Sequence, residues 1–191
     1  MAAMPAKGHS IAYSLLLALA LAACDLAPPR MIEPRPADAP ASRGPDLLRD
    51  TMLAGQNAER AALGLPLLVW DEQLAVAARD YAEEMARTGH FIHADQPFGP
   101  DRQGENLWMG TRAAYRYDEM VGHWLDERRF YINRPTPGFS RTGRWQDASH
   151  YTQIVWRTTQ RVGCAMASNR GSDFLACRYW PPGNVVGQMA Y

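Results

Sequence analysis

The sequence predicts an α+β domain, and three observations carry that expectation. Apolar residues recur at helical spacing over 47–65, 74–85 and about 115–131. Short β-branched and aromatic runs follow only later, at 152–156, 162–167 and 174–179. Helices first and strands afterwards is the pattern of α+β rather than of alternating βαβ units. The third observation is composition. A chain of 191 residues, 47% hydrophobic and 10% aromatic, can build one packed core with a segment to spare. Its 20 Lys+Arg balance 20 Asp+Glu, which leaves no basic footprint for nucleic acid.

The spare segment comes first. Lys7 precedes an apolar run from Ile11 to Ala22, too short for a permanent membrane span but suited to a signal-peptide core. It ends in Leu21-Ala22-Ala23-Cys24, which resembles the bacterial lipobox, where the cysteine is acylated and becomes the new N-terminus. Cysteine arithmetic agrees. Three cysteines leave one unpaired, and lipidation of Cys24 leaves Cys164 and Cys177 as a pair. Residues 25–45 then hold six prolines in 21 positions. Such a stretch favours extended polyproline conformation, reaching at most roughly 65 Å. The expected organisation is a leader at 1–23, an acylated cysteine and tether at 24–45, and a domain at 46–191. The protein is thus expected in the cell envelope, anchored to a membrane through lipid and facing the periplasm or the cell exterior.

Within the domain, Leu47, Thr51, Ala54, Ala58, Ala61 and Leu65 form the apolar stripe expected of a first helix. Asp71 can cap a second, with Leu74, Ala77, Ala78, Tyr81 and Met85 on one face and Gly89 as its stop. A third is expected over about 115–131, placing Val121, Trp124 and Arg128 on one side. After a Pro/Gly-rich loop at 132–148, strands are expected at 152–156, 162–167 and 174–179. The last two flank Ser-Asn-Arg-Gly-Ser-Asp, a turn signal. Cys164 and Cys177 lie equally far from the centre of that turn, so symmetric register sets them opposite each other, close enough to bridge. Closing this loop should add about 3 kcal/mol. Trp70, Trp124, Trp156 and Trp180 read as core, and His90 and His123 as unremarkable positions.

Several segments are similar to a known family. Ser149-His-Tyr-Thr-Gln-Ile-Val-Trp156 resembles the G-H-Y-T-Q-x-V-W signature of the CAP superfamily, the cysteine-rich secretory, antigen 5 and pathogenesis-related 1 proteins. Tyr179 to Gly187 resembles its second signature, and Gly104-Glu-Asn-Leu107 its G-E-N-L element. Asn57-x-x-Arg60 followed by Leu68-Val-Trp-Asp71 resembles its opening helix and turn. The resemblance implies a three-layer α-β-α sandwich with a cleft lined by His93, Glu105, Glu127 and His150. Ser149 stands where the family usually has Gly, and Gln56 where many relatives have His.

Two imidazoles beside two carboxylates suit Zn²⁺ or another divalent cation. The sequence contains no H-E-x-x-H and no nucleophile elbow, so no motif argues for hydrolysis. Ser149 and His150, if on a strand, would point to opposite faces and could not pair. The reading is therefore a monomeric binding module for a metal, a lipid or another envelope ligand, with the question of catalysis left open. A metal-dependent hydrolase acting on peptide or envelope polymer, and an envelope scaffold, are the alternatives.

Overall fold

The second helix shows how this sequence writes its structure. In the computed structural model, which describes residues 40–191, α2 spans Glu72–Thr88. Asp71 caps it, its Oδ1 accepting from the amides of Gln73 and Leu74 at 2.9 and 3.0 Å. Gly89 ends it with a left-handed φ of 74°, a conformation that costs glycine nothing. The leader, Cys24 and the tether up to residue 39 lie outside the described residues.

The element order is α1 (Pro45–Ala62), β1 (Val69–Trp70), α2, β2 (Gly104–Thr111), α3 (Tyr117–Leu125), α4 (Ser149–Ile154), β3 (Arg161–Ser168) and β4 (Ser172–Trp180). Two 3₁₀ segments, Asp126–Phe130 and Trp145–Ala148, join α3 to α4 along with the intervening loop. The sheet order is β1-β3-β4-β2, with β1 parallel to β3 and the other pairs antiparallel. Along β4 the side chains alternate between two layers, as the pleat requires. Phe174 and Ala176 pack on Ala78, Ala82 and Met85 of α2. Leu175, Cys177 and Tyr179 join the larger core with residues of α1, α3 and α4. That is a three-layer α-β-α sandwich. Gly163 permits the α2 contact, because a Cβ there would collide with the Ala75 amide and the Asp71 carbonyl.

Cys164 and Cys177 stand directly opposite in the β3–β4 ladder and form a disulfide, as their symmetric placement about the turn predicts. Trp124 and Trp156 are core residues, whereas Trp70 and Trp180 are only half-buried. Ala41 donates its amide to the Ala113 carbonyl, and Arg43 pairs with Asp173 at 2.8 Å. Contacts to the domain thus begin several residues before α1. Among the described residues no helix is long and apolar enough to cross a membrane.

Three expectations need correction. The buried face of α1 is Leu48, Met52, Gln56 and Arg60, not the stripe beginning at Leu47, which is 44% exposed. Arg60 explains the difference. Its guanidinium, fully buried, donates to the carbonyls of Pro66, Ile154, Trp156 and Thr159. The third helix is shorter than expected, with α3 giving way to the 3₁₀ segment at Asp126. Finally, 152–156 is not a strand. Its first three residues complete α4, where the Thr152 hydroxyl donates within reach of the Ala148 and Ser149 carbonyls.

Candidate functional site

The four residues singled out in the sequence come from four places. His93 lies in the loop after α2, Glu105 on β2, Glu127 in the 3₁₀ segment after α3, and His150 in the first turn of α4. The structure sorts them into two His–Glu pairs. His93 Nδ1 lies 2.6 Å from Glu105 Oε1, and His150 Nδ1 lies 2.6 Å from Glu127 Oε1. In both pairs the carboxylate engages Nδ1, which leaves Nε2 as the unprotonated nitrogen of the neutral ring.

Each carboxylate is fixed by further donors. Glu105 Oε1 also accepts from the Ala94 amide at 3.1 Å. Its Oε2 sits 2.9 Å from the Arg178 guanidinium, an ion pair without the directional geometry of a hydrogen bond. Arg178 is buried and stacks over the Tyr81 ring, whose hydroxyl donates to the Ile92 carbonyl at 2.6 Å. Burial pushes the Arg178 guanidinium down, and the Glu105 and Tyr81 oxygens work against that shift. Glu127 Oε2 accepts from the amides of His150 and Tyr151, at 2.9 and 3.2 Å. These are free amides of the first turn of α4, so Glu127 both caps that helix and orients its histidine. The His150 ring stacks on Trp124.

The two pairs sit on opposite faces of the sheet at the start of β2. Glu105 faces Arg178 and Tyr81 on the α2 side. Asn106, the next residue, points to the other side and donates to the His150 carbonyl at 3.0 Å and the Tyr179 hydroxyl at 3.3 Å. The site therefore wraps an edge strand, since β2 is last in the sheet order. Asn106 belongs to the G-E-N-L element but has no metal or acid–base signature, and sequence reasoning gave it no role.

Exposure differs between the pairs. The His93 side chain is 64% exposed and that of His150 26%, while both glutamates are largely covered. Glu105 and Glu127 direct their oxygens at histidine, amide and arginine partners. Among the described residues, no group of three or more His, Cys, Asp or Glu is gathered to hold a metal ion. Beside His150, Tyr151 donates its hydroxyl to Glu59 at 2.9 Å, and Arg128 lies 3.4 Å from the same carboxylate. Burial, and then Glu59, push the Tyr151 phenol up, so it stays protonated. Ser149 donates its hydroxyl to the Gln146 carbonyl at 3.2 Å. His123 is less bland than its sequence context suggests, because its Nδ1 accepts from the Trp108 indole at 2.8 Å.

Comparison with known proteins shows the family of the chain. The profile of the CAP, or cysteine-rich secretory protein, family matches residues 53–179. Pathogenesis-related protein 1C of Nicotiana tabacum is 34% identical over 140 residues, 73% of this chain and 78% of the relative. A PR-1 type pathogenesis-related protein of Sambucus nigra is 37% identical over 136 residues, 71% of this chain and 77% of the relative. Among solved structures, NaASP2 with Zn²⁺ superposes with a TM-score of 0.63 at 21% identity, covering 81% of this chain and 88% of that one.

Proposed function

The chain belongs to the cysteine-rich secretory protein (CAP) family, and on that premise we propose that it is an extracytoplasmic binding module holding a divalent cation at His93 and His150. One observation carries the reading. Each imidazole is tied through Nδ1 to a buried carboxylate, the arrangement that fixes the tautomer and raises the basicity of a metal-ligating Nε2. An ion held by these two imidazoles alone would be open and weakly bound. Two imidazoles fall short of the four ligands of a structural zinc site, and the glutamates act as outer partners. A fold relative crystallised with Zn²⁺ supports the choice of metal. A bound ion would supply a Lewis-acid position for an oxygen-bearing ligand.

The apolar run Ile11–Ala22 and Leu21-Ala-Ala-Cys24 support a module outside the cytoplasm, anchored to a bacterial membrane through acylated Cys24; its proposed ligand is a lipid or another envelope component. Binding is favoured over hydrolysis because Ser149, the hydroxyl adjacent to His150, is turned to the Gln146 carbonyl. Titration calorimetry with Zn²⁺ tests the proposal on the wild type, His93→Ala and His150→Ala. Each substitution should weaken binding, and the fold should survive metal removal, unlike that of a zinc finger. Wild-type affinity in both variants would remove the site.

A further inference from the structure

The outer edge of β3 runs on past the strand that covers it. β1 is two residues long and pairs only with Arg161 and Val162. The Asp71 amide donates to the Val162 carbonyl at 2.9 Å, so the even-numbered residues of β3 turn their main-chain groups toward β1. The 4.1 Å separation of the Cys164 and Cys177 Cα atoms agrees, being that of a pair not hydrogen-bonded across the β3–β4 ladder. Cys164 and Met166 therefore aim their N–H and C=O outward, beyond the end of β1. Among the described residues nothing meets those groups.

This edge is not open surface. It floors a cavity of about 400 Å³ between the start of α1 and the flank of α2, walled by Pro45, Arg49, Trp70 and Arg79. That volume lies in the range of ligand clefts, roughly 300–1,000 Å³. The charges around it are mostly satisfied. Arg43 pairs with Asp173, and Arg49 with Asp46 and Asp50. Arg79 is exposed and has no ion pair among the described residues. Unpaired strand edges are templates for another strand, and proteins ordinarily cover, twist or charge them. Here, among the described residues, the edge lies unpaired at the bottom of a groove whose lining holds Arg79 and also Glu72, whose carboxylate accepts from the Trp70 indole at 3.0 Å.

We propose that this groove binds an extended segment of a partner polypeptide, which adds to β3 as a strand and sets an acidic side chain against Arg79. Main-chain hydrogen bonds to Cys164 and Met166 supply affinity in this mode, and the groove walls supply selection. The His–Glu pairs take no part, so this surface stands or falls independently of the metal site.

The test uses the full-length chain in detergent and a capped pentapeptide of alternating threonine and valine with a central glutamate. Hydrogen exchange at the Cys164 and Met166 amides should be fast in the free protein and about tenfold slower with saturating peptide. Arg79→Glu should weaken peptide binding about tenfold, and exchanging the central glutamate for lysine should restore it. A peptide N-methylated at both valines should not bind. No slowing of exchange, or equal binding of the N-methylated peptide, overturns the proposal. So does slow exchange before any peptide is added. In that case sedimentation tells which occupant already fills the groove, a dimer indicating a second copy and a monomer the chain's own N-terminal segment.

Discussion

Asn106 Nδ2 donates to the His150 carbonyl at 3.0 Å, tying the first turn of α4 to the edge strand that carries Glu105. The two His–Glu pairs lie on opposite faces of the sheet, and this amide links them across the strand. Because Asn106 is buried and its Oδ1 has no partner among the described residues, the side chain is retained at some energetic cost.

That linkage gives the first prediction. Asn106→Leu keeps the volume and removes both donated bonds, with a stability cost of about 1 kcal/mol. The His150 carbonyl keeps its place in the helix, but the helix is no longer pinned to β2. Zn²⁺ affinity should fall several-fold, while circular dichroism remains that of the folded protein. Unchanged affinity would show that the two pairs act separately.

Arg60 gives the second. Burial lowers its guanidinium to about 10, yet it stays cationic at neutral pH and satisfies four carbonyls. Arg60→Lys offers a compact ammonium in place of a planar fork and cannot reach all four. Each buried carbonyl left bare costs about 1–3 kcal/mol, so chemical denaturation should show a loss of at least about 2 kcal/mol. Arg60→Met should cost more.

The same residue explains part of what the sequence did and did not disclose. The second helix was legible because Asp71, its apolar face and Gly89 are all local signals. The final hairpin was legible because its turn is strong and its cysteines are symmetric about it. On α1 the apolar rule selected the exposed face, because the buried one holds Gln56 and Arg60, polar residues satisfied or enclosed only by distant chain. The run 152–156 has strand-like composition, but packing of Tyr151 and Ile154 in the core keeps its first half helical. The four candidate residues were named through their motifs. Their pairing was not legible, since Glu127 finds His150 across 23 residues and a long intervening loop.

The disulfide supports a third prediction. Cys164 and Cys177 close a short loop at the centre of the β3–β4 ladder, and both are buried. The double Cys→Ala variant should lose about 3 kcal/mol. Non-reducing peptide mapping of protein from its native compartment should recover the two cysteines linked. Two alkylatable thiols there would mean that the bridge does not form in the cell.

The leader yields a fourth. Cys24→Ala should move the protein from the membrane fraction to the soluble one, and mass spectrometry of the wild type should find an acylated N-terminal cysteine. A Cys24→Ala variant that stays fully membrane-bound would end the lipoprotein reading, while the domain's family membership would stand untouched.

The last prediction concerns acid stability and rests on Asp71. This carboxylate does two jobs. One oxygen caps α2 through the Gln73 and Leu74 amides, and the other pairs with Arg161 at the start of β3. Burial by itself would push the Asp71 carboxyl up, but the Leu74 amide, the Arg161 charge and the Gln73 amide outweigh it and hold the group below its usual value. A carboxyl with a depressed folded-state pKa binds fewer protons when folded than when unfolded. Its contribution is therefore fully present above the unfolded value of about 3.9, and is lost as pH falls through the lower folded value. Asp71→Asn keeps a capping oxygen but abolishes both the titration and the ion pair. At neutral pH it should cost about 1 kcal/mol, and Asp71→Ala, which also loses the cap, about 1–2 kcal/mol. Denaturation measured from pH 6 down to pH 2 should show the gap between wild type and Asp71→Asn closing below about pH 4. A gap that stays constant across that range would mean that the Asp71 carboxyl titrates alike in the folded and unfolded chain, and that neither the cap nor Arg161 favours its charge.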